Sequence, residues 1–265
     1  MRRADTPGGR AVNVVLSCGG QGLRMRAASE VAPKPMILVG GRPNLWHVMQ
    51  YYAYFGHREF MICVGYKGEV IEDFFPTYEE EDARDWDISF VDTGTHASVG
   101  ERLGAVRDRL AGEERFLANY GDVVTDAHLP TLIERAMAAG ATASFLCVRP
   151  NYSFHVVSAD VDGQVSSITD ALRSDIWING GYFILRADFL EHLRPGEEII
   201  EEPFQRAVRA DQVQAQRHEG FWAPMDTLKD NQWLERLHET GRTPWRVWDP
   251  PPVRDIVSVS VAPLG

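Results

Sequence analysis

The sequence predicts an α/β fold: a mostly parallel, mixed sheet flanked by helices, with a small β/α extension in the second half. Three observations carry this prediction. A glycine-rich turn follows a short β-branched run, strand-like and helix-like segments alternate up to about residue 150, and a hairpin pattern then replaces the alternation. Alternating strands and helices pack as a mostly parallel sheet with right-handed crossovers.

The first half of the chain contains most of the predicted sheet. Residues 12–16 are apolar and β-branched, as in a buried strand, and residues 45–55 repeat apolar side chains at helical spacing. Gly56 and Gly140 are suitable residues to end helices. The predicted strands are residues 12–16, 60–64, 88–91, 116–120 and 143–148, and the predicted helices are residues 45–55, 68–75 and 129–139.

The second half begins with a hairpin, in which the turn Asp162-Gly163 joins strands at residues 154–161 and 164–169. Further predicted elements are strands at residues 182–185 and 214–218 and helices at residues 187–193, 202–210 and 227–239. We expect a disordered arm at residues 1–11, a single domain at residues 12–248 with halves at about 12–150 and 151–248, and an extended, proline-rich tail at residues 249–265.

Composition excludes several classes of protein. The 265-residue chain has a net charge of −11, which argues against a nucleic-acid-binding surface. No apolar run is long enough to span a bilayer, and the basic N-terminus lacks the apolar region of a signal peptide. The three cysteines are widely spaced and form no C-x-x-C motif, so we expect neither disulfides nor a zinc site, and a cytoplasmic location.

The glycine-rich segment 16–24, Leu-Ser-Cys-Gly-Gly-Gln-Gly-Leu-Arg, is the strongest functional signal in the sequence. Its glycines allow the backbone N–H groups to approach phosphate oxygens closely. Arg24 adds one positive charge, and Lys34, between Pro33 and Pro35, adds a second. These parts predict a nucleoside triphosphate site, and the alternative is a surface turn with solubilising charges. Neither the dinucleotide-binding G-x-G-x-x-G pattern nor a Walker A motif occurs here.

Two aspartates are candidate ligands for Mg²⁺. Asp122 follows Gly121 at the end of a predicted strand, where parallel sheets place their ligands, and Asp226 lies at the start of a predicted helix. The structural alternatives are a Gly-Asp turn for Asp122 and a helix N-cap for Asp226. If both bind metal, they hold one Mg²⁺ together.

A third candidate segment is Asn179-Gly180-Gly181, whose glycines permit close approach of a polyhydroxylated ligand and whose amide can bind a hydroxyl group. The structural alternative is a bulge before a strand. The histidines are scattered, and His47 and His155 are expected to be structural.

Taken in order, these segments resemble the sugar-1-phosphate nucleotidyltransferases, in particular the glucose-1-phosphate cytidylyltransferase branch. The resemblance extends from about residue 12 to residue 248. The matching segments are residues 19–24, 34–36, 45–47, 65–68, 91–94, 120–122, 177–181, 220–222 and 224–228. It implies a Rossmann-like fold of the nucleotide-diphospho-sugar transferase type, with a nucleotide half before about residue 150 and an acceptor half after it.

The resemblance also implies the reaction and the role of each site residue. A sugar-1-phosphate oxygen attacks the α-phosphorus of a nucleoside triphosphate, and pyrophosphate leaves. Arg24 would clamp the leaving pyrophosphate, Lys34 would stabilise the α-phosphate, and Asp122 and Asp226 would hold Mg²⁺. The expected nucleotide-binding residues are Leu16, Cys18, Gly19, Gly20, Gly22, Leu23, Arg102 and Gly121, and the expected acceptor-binding residues are Arg173, Asn179 and Gly180.

The chain departs from the family pattern at several positions. Cys18 and Leu23 replace the usual alanine and threonine, and Glu101 replaces a glycine in the segment that contacts the pyrimidine. Residues 168–175 lack the lysine that grips the sugar phosphate, and Arg173 is the candidate substitute. This difference suggests an altered acceptor, such as a modified sugar or a sugar-like cyclitol phosphate, and the alternative is weakened catalysis.

Two other classes of protein stay open at this point. A non-catalytic regulator that binds nucleotide or sugar phosphate on the same fold is favoured by the missing lysine and disfavoured by the retained Arg24, Lys34, Asp122 and Asp226. A metal-dependent glycosyltransferase would need a D-x-D motif, which Asp122-Val123-Val124 does not supply. The resemblance further implies a homo-oligomer.

Overall fold

The computed structural model describes residues 11–21, 32–77, 85–150 and 154–249. The predicted arm at residues 1–11 and tail at residues 249–265 therefore lie almost entirely outside the described residues. The same is true of three predicted site residues, Gly22, Leu23 and Arg24.

The described residues form thirteen strands and six α-helices. The strands are β1 Val14–Ser17, β2 Leu38–Val39, β3 Arg42–Pro43, β4 Glu59–Val64, β5 Asp87–Asp92, β6 Arg115–Asn119, β7 Val123–Thr125, β8 Ala143–Val148, β9 His155–Ala159, β10 Val165–Asp170, β11 Ile178–Arg186, β12 Val213–His218 and β13 Trp222–Pro224. The helices are α1 Asn44–Tyr54, α2 Gly68–Thr77, α3 Val99–Ala105, α4 Leu129–Ala139, α5 Glu202–Arg209 and α6 Leu228–Glu239.

Seven strands form the central sheet in the order β12-β8-β11-β6-β1-β4-β5. Strand β1 pairs in parallel with β4 and β6, and β8 pairs in parallel with β12, whereas β11 runs antiparallel to its neighbours β6 and β8. Six strands therefore end at one edge of the sheet, where β11 begins. The mixed, mostly parallel sheet confirms the predicted fold class.

Two apolar cores pack on opposite faces of this sheet. In β1, Val14 and Leu16 belong to the core beneath α1, while the alternate residue Val15 belongs to the other core, as the period of a strand requires. Phe183 of β11 and Phe204 of α5 pack together in that second core, with ring centroids 5.8 Å apart. Because both faces are covered, the inner strands β1, β4, β6 and β8 are largely buried and rich in apolar residues, whereas the edge strands β5 and β12 are partly exposed.

The predicted elements agree closely with the observed ones where the local signal is strong. Helix α4 and strand β8 have the predicted bounds, and Gly140 ends α4 in the left-handed conformation with φ +65°. The predicted hairpin is the antiparallel pair β9–β10. The helix predicted at residues 187–193 is instead the 3₁₀ helix Ala187–His192.

Helix α3 was not predicted, although its N-terminus carries a recognisable signal. Ser98 accepts a hydrogen bond from the N–H of Glu101, and the Glu101 carboxylate accepts one from the N–H of Ser98. This reciprocal pair is a capping box, which stabilises the first turn of a helix. The S-x-x-E spacing was therefore the signal that could have found α3.

Candidate active site

The loop after β1 lies at the edge of the sheet where the parallel strands end. Its backbone is joined to β4 and the following loop, because the N–H of Cys18 donates to Cys63 O at 2.9 Å and the N–H of Tyr66 donates to Gly19 O at 3.1 Å. Gly20 faces open space, since an added Cβ would meet no atom within 4 Å. One side of the loop is thus held in place and the other is accessible to a ligand.

Arg102 of α3 packs directly against Gly19. A Cβ on Gly19 would lie 1.9 Å from Arg102 Nη1, so a larger residue at this position would force the guanidinium to move. Arg102 Nη1 donates to Val64 O at 3.2 Å and to Thr93 Oγ1 at 2.5 Å, and the residue is only 3% exposed. The structure therefore places this predicted nucleotide-binding residue beneath the loop, where it supports the backbone with a buried positive charge.

Gly121 turns the chain between β6 and the first metal-ligand candidate. Its φ is +78°, and an added Cβ would lie 2.6 Å from Cys18 Sγ. The N–H of Gly121 donates to Asn119 Oδ1 at 2.8 Å, which fixes the turn. Burial raises the pKa of the Cys18 thiol well above its usual range, so Cys18 is a neutral packing residue beside the loop. Leu16 is fully buried, which leaves only its backbone to face a nucleotide.

A two-stranded ribbon brings Asp122 and Asp226 together although they are far apart in the sequence. Strand β7 follows Asp122, strand β13 precedes Asp226, and the two strands pair antiparallel with Pro224 opposite Val123. The N–H of Met225 then donates to Asp122 O at 3.0 Å. The ribbon therefore holds both aspartates at the same end of the sheet.

Asp226 is not the N-cap of α6, the alternative that its sequence position suggested. Thr227 has that role, because its Oγ1 accepts a hydrogen bond from the N–H of Asp230 at 3.2 Å. The Asp230 carboxylate in turn accepts hydrogen bonds from the N–H groups of Asp226 and Thr227. The backbone of Asp226 is thus fixed, while its carboxylate is directed toward Lys34 and Asp122.

Lys34 joins the two aspartates. Its ammonium lies 2.5 Å from Asp122 Oδ2 and 2.5 Å from Asp226 Oδ1. Burial alone would lower the pKa of Lys34, but the two carboxylates raise it above its usual value, so the side chain is charged. Burial raises the pKa of the Asp122 carboxyl, and Lys34 opposes that effect. Lys34 is the first residue of the 3₁₀ helix Lys34–Met36, and the two carboxylates balance its positive charge.

The two carboxylates suit Mg²⁺. Both direct an oxygen at the same cationic group, so they face a common position that already accommodates a positive charge. In the described ranges, no group of three or more acidic, histidine or cysteine side chains is arranged to hold a metal ion. One or two carboxylates completed by substrate phosphates and water are the usual protein contribution to a Mg²⁺ site. The donor set therefore fits Mg²⁺.

The segment 179–181 packs on Tyr120, two residues before Asp122. Asn179 Nδ2 donates to Tyr120 Oη at 2.7 Å, and the N–H of Gly181 donates to Asn179 Oδ1 at 3.0 Å. Gly181 has φ +77°, and an added Cβ would lie 2.7 Å from the Tyr120 ring. Gly180 O accepts a hydrogen bond from Trp222 Nε1 at 2.8 Å. The structure thus brings this segment beside the aspartates, as a rigid wall of the site.

The remaining predicted residues lie as follows. Arg173 is exposed at the end of the 3₁₀ helix Ala171–Arg173, and its role in acceptor binding stays a prediction. His47 is buried: its Nε2–H donates to Val39 O at 2.9 Å, and burial lowers its pKa to about 4. His47 is therefore structural, as expected, and the exposed His155 lies on the hairpin. No helix in the described part of the chain is long and apolar enough to cross a membrane.

Sequence reasoning missed one group of residues near the site. Arg149, Trp177 and Arg217 stack together beside a cleft at the same edge of the sheet. They come from three different strands or strand ends, and no local spacing connects them. Only the pairing of β8, β11 and β12 brings them together.

Residues 12–230 match the family described as "Nucleotidyl transferase", and the chain belongs to that family. Among its relatives is the glucose-1-phosphate cytidylyltransferase of Salmonella typhi, 33% identical over 258 residues that cover 90% of this chain and 100% of the relative. The probable glucose-1-phosphate cytidylyltransferase of Bacillus subtilis is 31% identical and covers 89% of this chain. The chain is thus a sugar-1-phosphate nucleotidyltransferase, which confirms the predicted class.

Solved structures support the fold independently. A UDP-glucose pyrophosphorylase complexed with UDP-glucose has a TM-score of 0.70 at 14% identity, covering 88% of this chain and 100% of that chain. A UTP-bound UGPase from Acinetobacter baumannii has a TM-score of 0.67 at 18% identity, covering 86% and 93%. At these low sequence identities, the similarity shows that the fold is shared and nothing more.

Proposed function

We propose that this protein is a Mg²⁺-dependent enzyme that joins a nucleoside triphosphate to a sugar-1-phosphate, or to a sugar-like cyclitol phosphate, and releases pyrophosphate. The observation that carries the proposal is the convergence of Asp122, Lys34 and Asp226 at the edge of the sheet beside the glycine-rich loop. Two acids and one lysine beside exposed loop backbone match what transfer between two phosphates requires: positioning and charge neutralisation.

The chain's own residues supply most of the electrostatics. Lys34 is charged. Its proposed role is to stabilise the equatorial oxygens of the α-phosphate as the attacking oxygen bonds to phosphorus and the bond to pyrophosphate breaks. Arg24 is proposed to neutralise the departing pyrophosphate. Asp122 and Asp226 would hold Mg²⁺, which when bound supplies positive charge to the phosphates. No general base is needed, because the attacking phosphate is already ionised.

CTP and glucose 1-phosphate are the first substrates to test, because the relatives are named glucose-1-phosphate cytidylyltransferases. Glu101, which replaces a family glycine, has a structural role here: its carboxylate caps α3. That contact fixes the first turn of α3, the helix that carries Arg102. The non-catalytic regulator is the second candidate, favoured by the exposed Arg173 where the family has a gripping lysine.

The test is a matrix of the four ribonucleoside triphosphates against several sugar and cyclitol phosphates, with release of pyrophosphate as the readout. We expect turnover with one preferred triphosphate, and only when Mg²⁺ and an acceptor are both present. Binding of nucleotide without turnover on any acceptor would contradict the enzyme and favour the regulator. Light scattering after size-exclusion chromatography tests the further proposal of a homo-oligomer, and fractionation of producing cells tests the cytoplasmic location.

A further inference from the structure

A second cleft opens along the same edge of the sheet, beyond the aspartates. It has a volume of about 380 Å³, within the range of roughly 300–1,000 Å³ typical of small-molecule sites. Its walls come from the ends of β8 and β12, the loop before β13 and the 3₁₀ helix Ala171–Arg173. The lining residues are Val148, Arg149, Leu172, His218, Glu219, Gly220 and Trp222.

Two arginines give this end of the sheet a local positive charge. The guanidinium carbons of Arg149 and Arg217 lie 4.7 and 4.9 Å from the centroid of the same Trp177 ring. Arg149 also donates from Nη1 to Ser174 O, which leaves its other N–H groups for a ligand. In the described ranges neither arginine is paired with a carboxylate. Such a concentration of positive charge is conspicuous in a chain of net charge −11.

Two acidic side chains, Asp126 and Glu219, lie near the cleft. Asp126 Oδ1 is occupied by His218 Nε2 at 2.8 Å and by the N–H of Phe221 at 2.7 Å. Glu219 is the acidic side chain among the lining residues, and it is exposed to solvent. Neither carboxylate forms an ion pair with Arg149 or Arg217 in the described ranges, so both guanidinium groups can pair with an anionic ligand.

The cluster lies at a defined distance from the aspartates. Asp122 follows β6 and Arg149 follows β8, and these strands are separated by β11 alone. Two strand spacings of about 4.8 Å place the two strand ends roughly 10 Å apart, and Arg217 on β12 lies one spacing further. A six-carbon sugar that carries an anionic group at each end spans a comparable length.

We propose that the cleft binds a second anionic group of the acceptor, a phosphate or a carboxylate, at the end of the sugar or cyclitol remote from the reacting phosphate. Arg149, which lines the cleft, is the specificity-determining residue, and Arg217 adds a second positive charge next to it across the shared Trp177 ring. The inference rests on the proposed function and names the class of acceptor: a sugar phosphate with two anionic ends. The cleft also adjoins the predicted acceptor-binding segment 179–181, because its lining residue Trp222 donates a hydrogen bond to Gly180 O.

The experiment compares glucose 1-phosphate, glucose 1,6-bisphosphate and glucuronic acid 1-phosphate as acceptors for the full-length protein, each with the preferred triphosphate. We expect kcat/KM to be at least about tenfold higher for one of the doubly anionic acceptors, since a charge-assisted hydrogen bond discriminates by that factor. The bisphosphate and the glucuronate separate phosphate from carboxylate recognition. Equal kcat/KM for all three acceptors in the wild-type protein overturns the inference and leaves the proposed function intact.

The variants Arg149→Gln and Arg217→Gln should remove the preference, because kcat/KM for the favoured doubly anionic acceptor should fall at least several-fold more than kcat/KM for glucose 1-phosphate. Arg217→Gln is the variant expected to fold normally, because Arg217 is exposed and, in the described structure, contacts Trp177 without a hydrogen bond to the backbone. Arg135→Gln, on the exposed face of α4, is the matched control. If no acceptor is turned over, calorimetric titration with glucose 1,6-bisphosphate decides: binding weakened about tenfold in Arg217→Gln supports the cleft, and unchanged or absent binding overturns it.

Discussion

Replacing Lys34 with methionine would test the arrangement at the centre of the site. The substitution keeps the length of the side chain but removes the ammonium that lies 2.5 Å from both Asp122 and Asp226. These three side chains are 14%, 16% and 27% exposed, so water screens them only partly. Removing one partner of a buried ion pair costs about 3–5 kcal/mol, and the lower figure applies to this partly exposed group.

In a metal chelator we therefore expect Lys34→Met to lower the free energy of unfolding by about 3 kcal/mol. For a chain of this size that corresponds to a decrease in Tm of roughly 6–12 °C. Millimolar Mg²⁺ should restore much of the loss, because a ligand that binds only the folded state stabilises it by mass action. The wild-type protein should respond less to Mg²⁺ alone, since the Lys34 ammonium already occupies the position between the carboxylates.

Differential scanning calorimetry in chelator and in Mg²⁺ measures both effects without relying on activity. Lys229→Met, on the exposed first turn of α6, is the matched control and should leave Tm and the Mg²⁺ response unchanged. A Lys34→Met variant as stable as the wild type in chelator would show that the ammonium does not stabilise the two carboxylates. Equal stabilisation of both proteins by Mg²⁺ would show that Lys34 and the metal do not share a position.

Three further outcomes are expected. Asp226→Asn should lower Mg²⁺-dependent kcat on the order of 10²–10³-fold, because an amide is a weaker ligand than a carboxylate. The circular dichroism spectrum should stay unchanged, and near-normal pyrophosphate release would exclude Asp226 as a metal ligand. Arg173→Ala should raise KM for the acceptor roughly tenfold and KM for the triphosphate little, and an unchanged acceptor KM in steady-state kinetics would exclude Arg173 as a phosphate ligand. Burial lowers the pKa of His47 and of His57 from 6.5 to about 4. The free energy of unfolding should therefore be highest above pH 6.5 and should fall as the pH decreases toward 4, by about 3 kcal/mol for each histidine. Urea denaturation of wild type and His57→Gln across this range checks the sign, because the variant should lose less stability on acidification.

Both histidines use Nδ1 as an acceptor, which is why protonation disfavours the folded state. His57 Nδ1 accepts a hydrogen bond from the N–H of Val12 at 3.2 Å, and His47 Nδ1 accepts one from Trp245 Nε1 at 3.4 Å. A proton on either nitrogen would break these bonds. A wild-type free energy of unfolding that is independent of pH between 6.5 and 4 would contradict this account.

Local patterns in the sequence were sufficient for much of the fold. Strand β8 and helix α4 were predicted with their observed bounds, because continuous apolar runs and a glycine helix end are signals carried by neighbouring residues. The 3₁₀ helix Ala187–His192 was predicted as an α-helix, since its spacing of apolar residues does not separate the two forms. The short strands of the β7–β13 ribbon have too few residues for any period to be recognised.

The sequence by itself determined the family, the glycine-rich loop and the identity of the charged residues, because each of these depends on residue type and short spacing. Tertiary structure decided which charges meet. The β7–β13 ribbon joins Asp122 to Asp226 and both to Lys34, and Thr227 rather than Asp226 caps α6. Contacts between residues distant in the chain depend on strand order and register, which no local pattern encodes. The Arg149–Trp177–Arg217 cluster belongs to the same category, since it exists only where three strands meet.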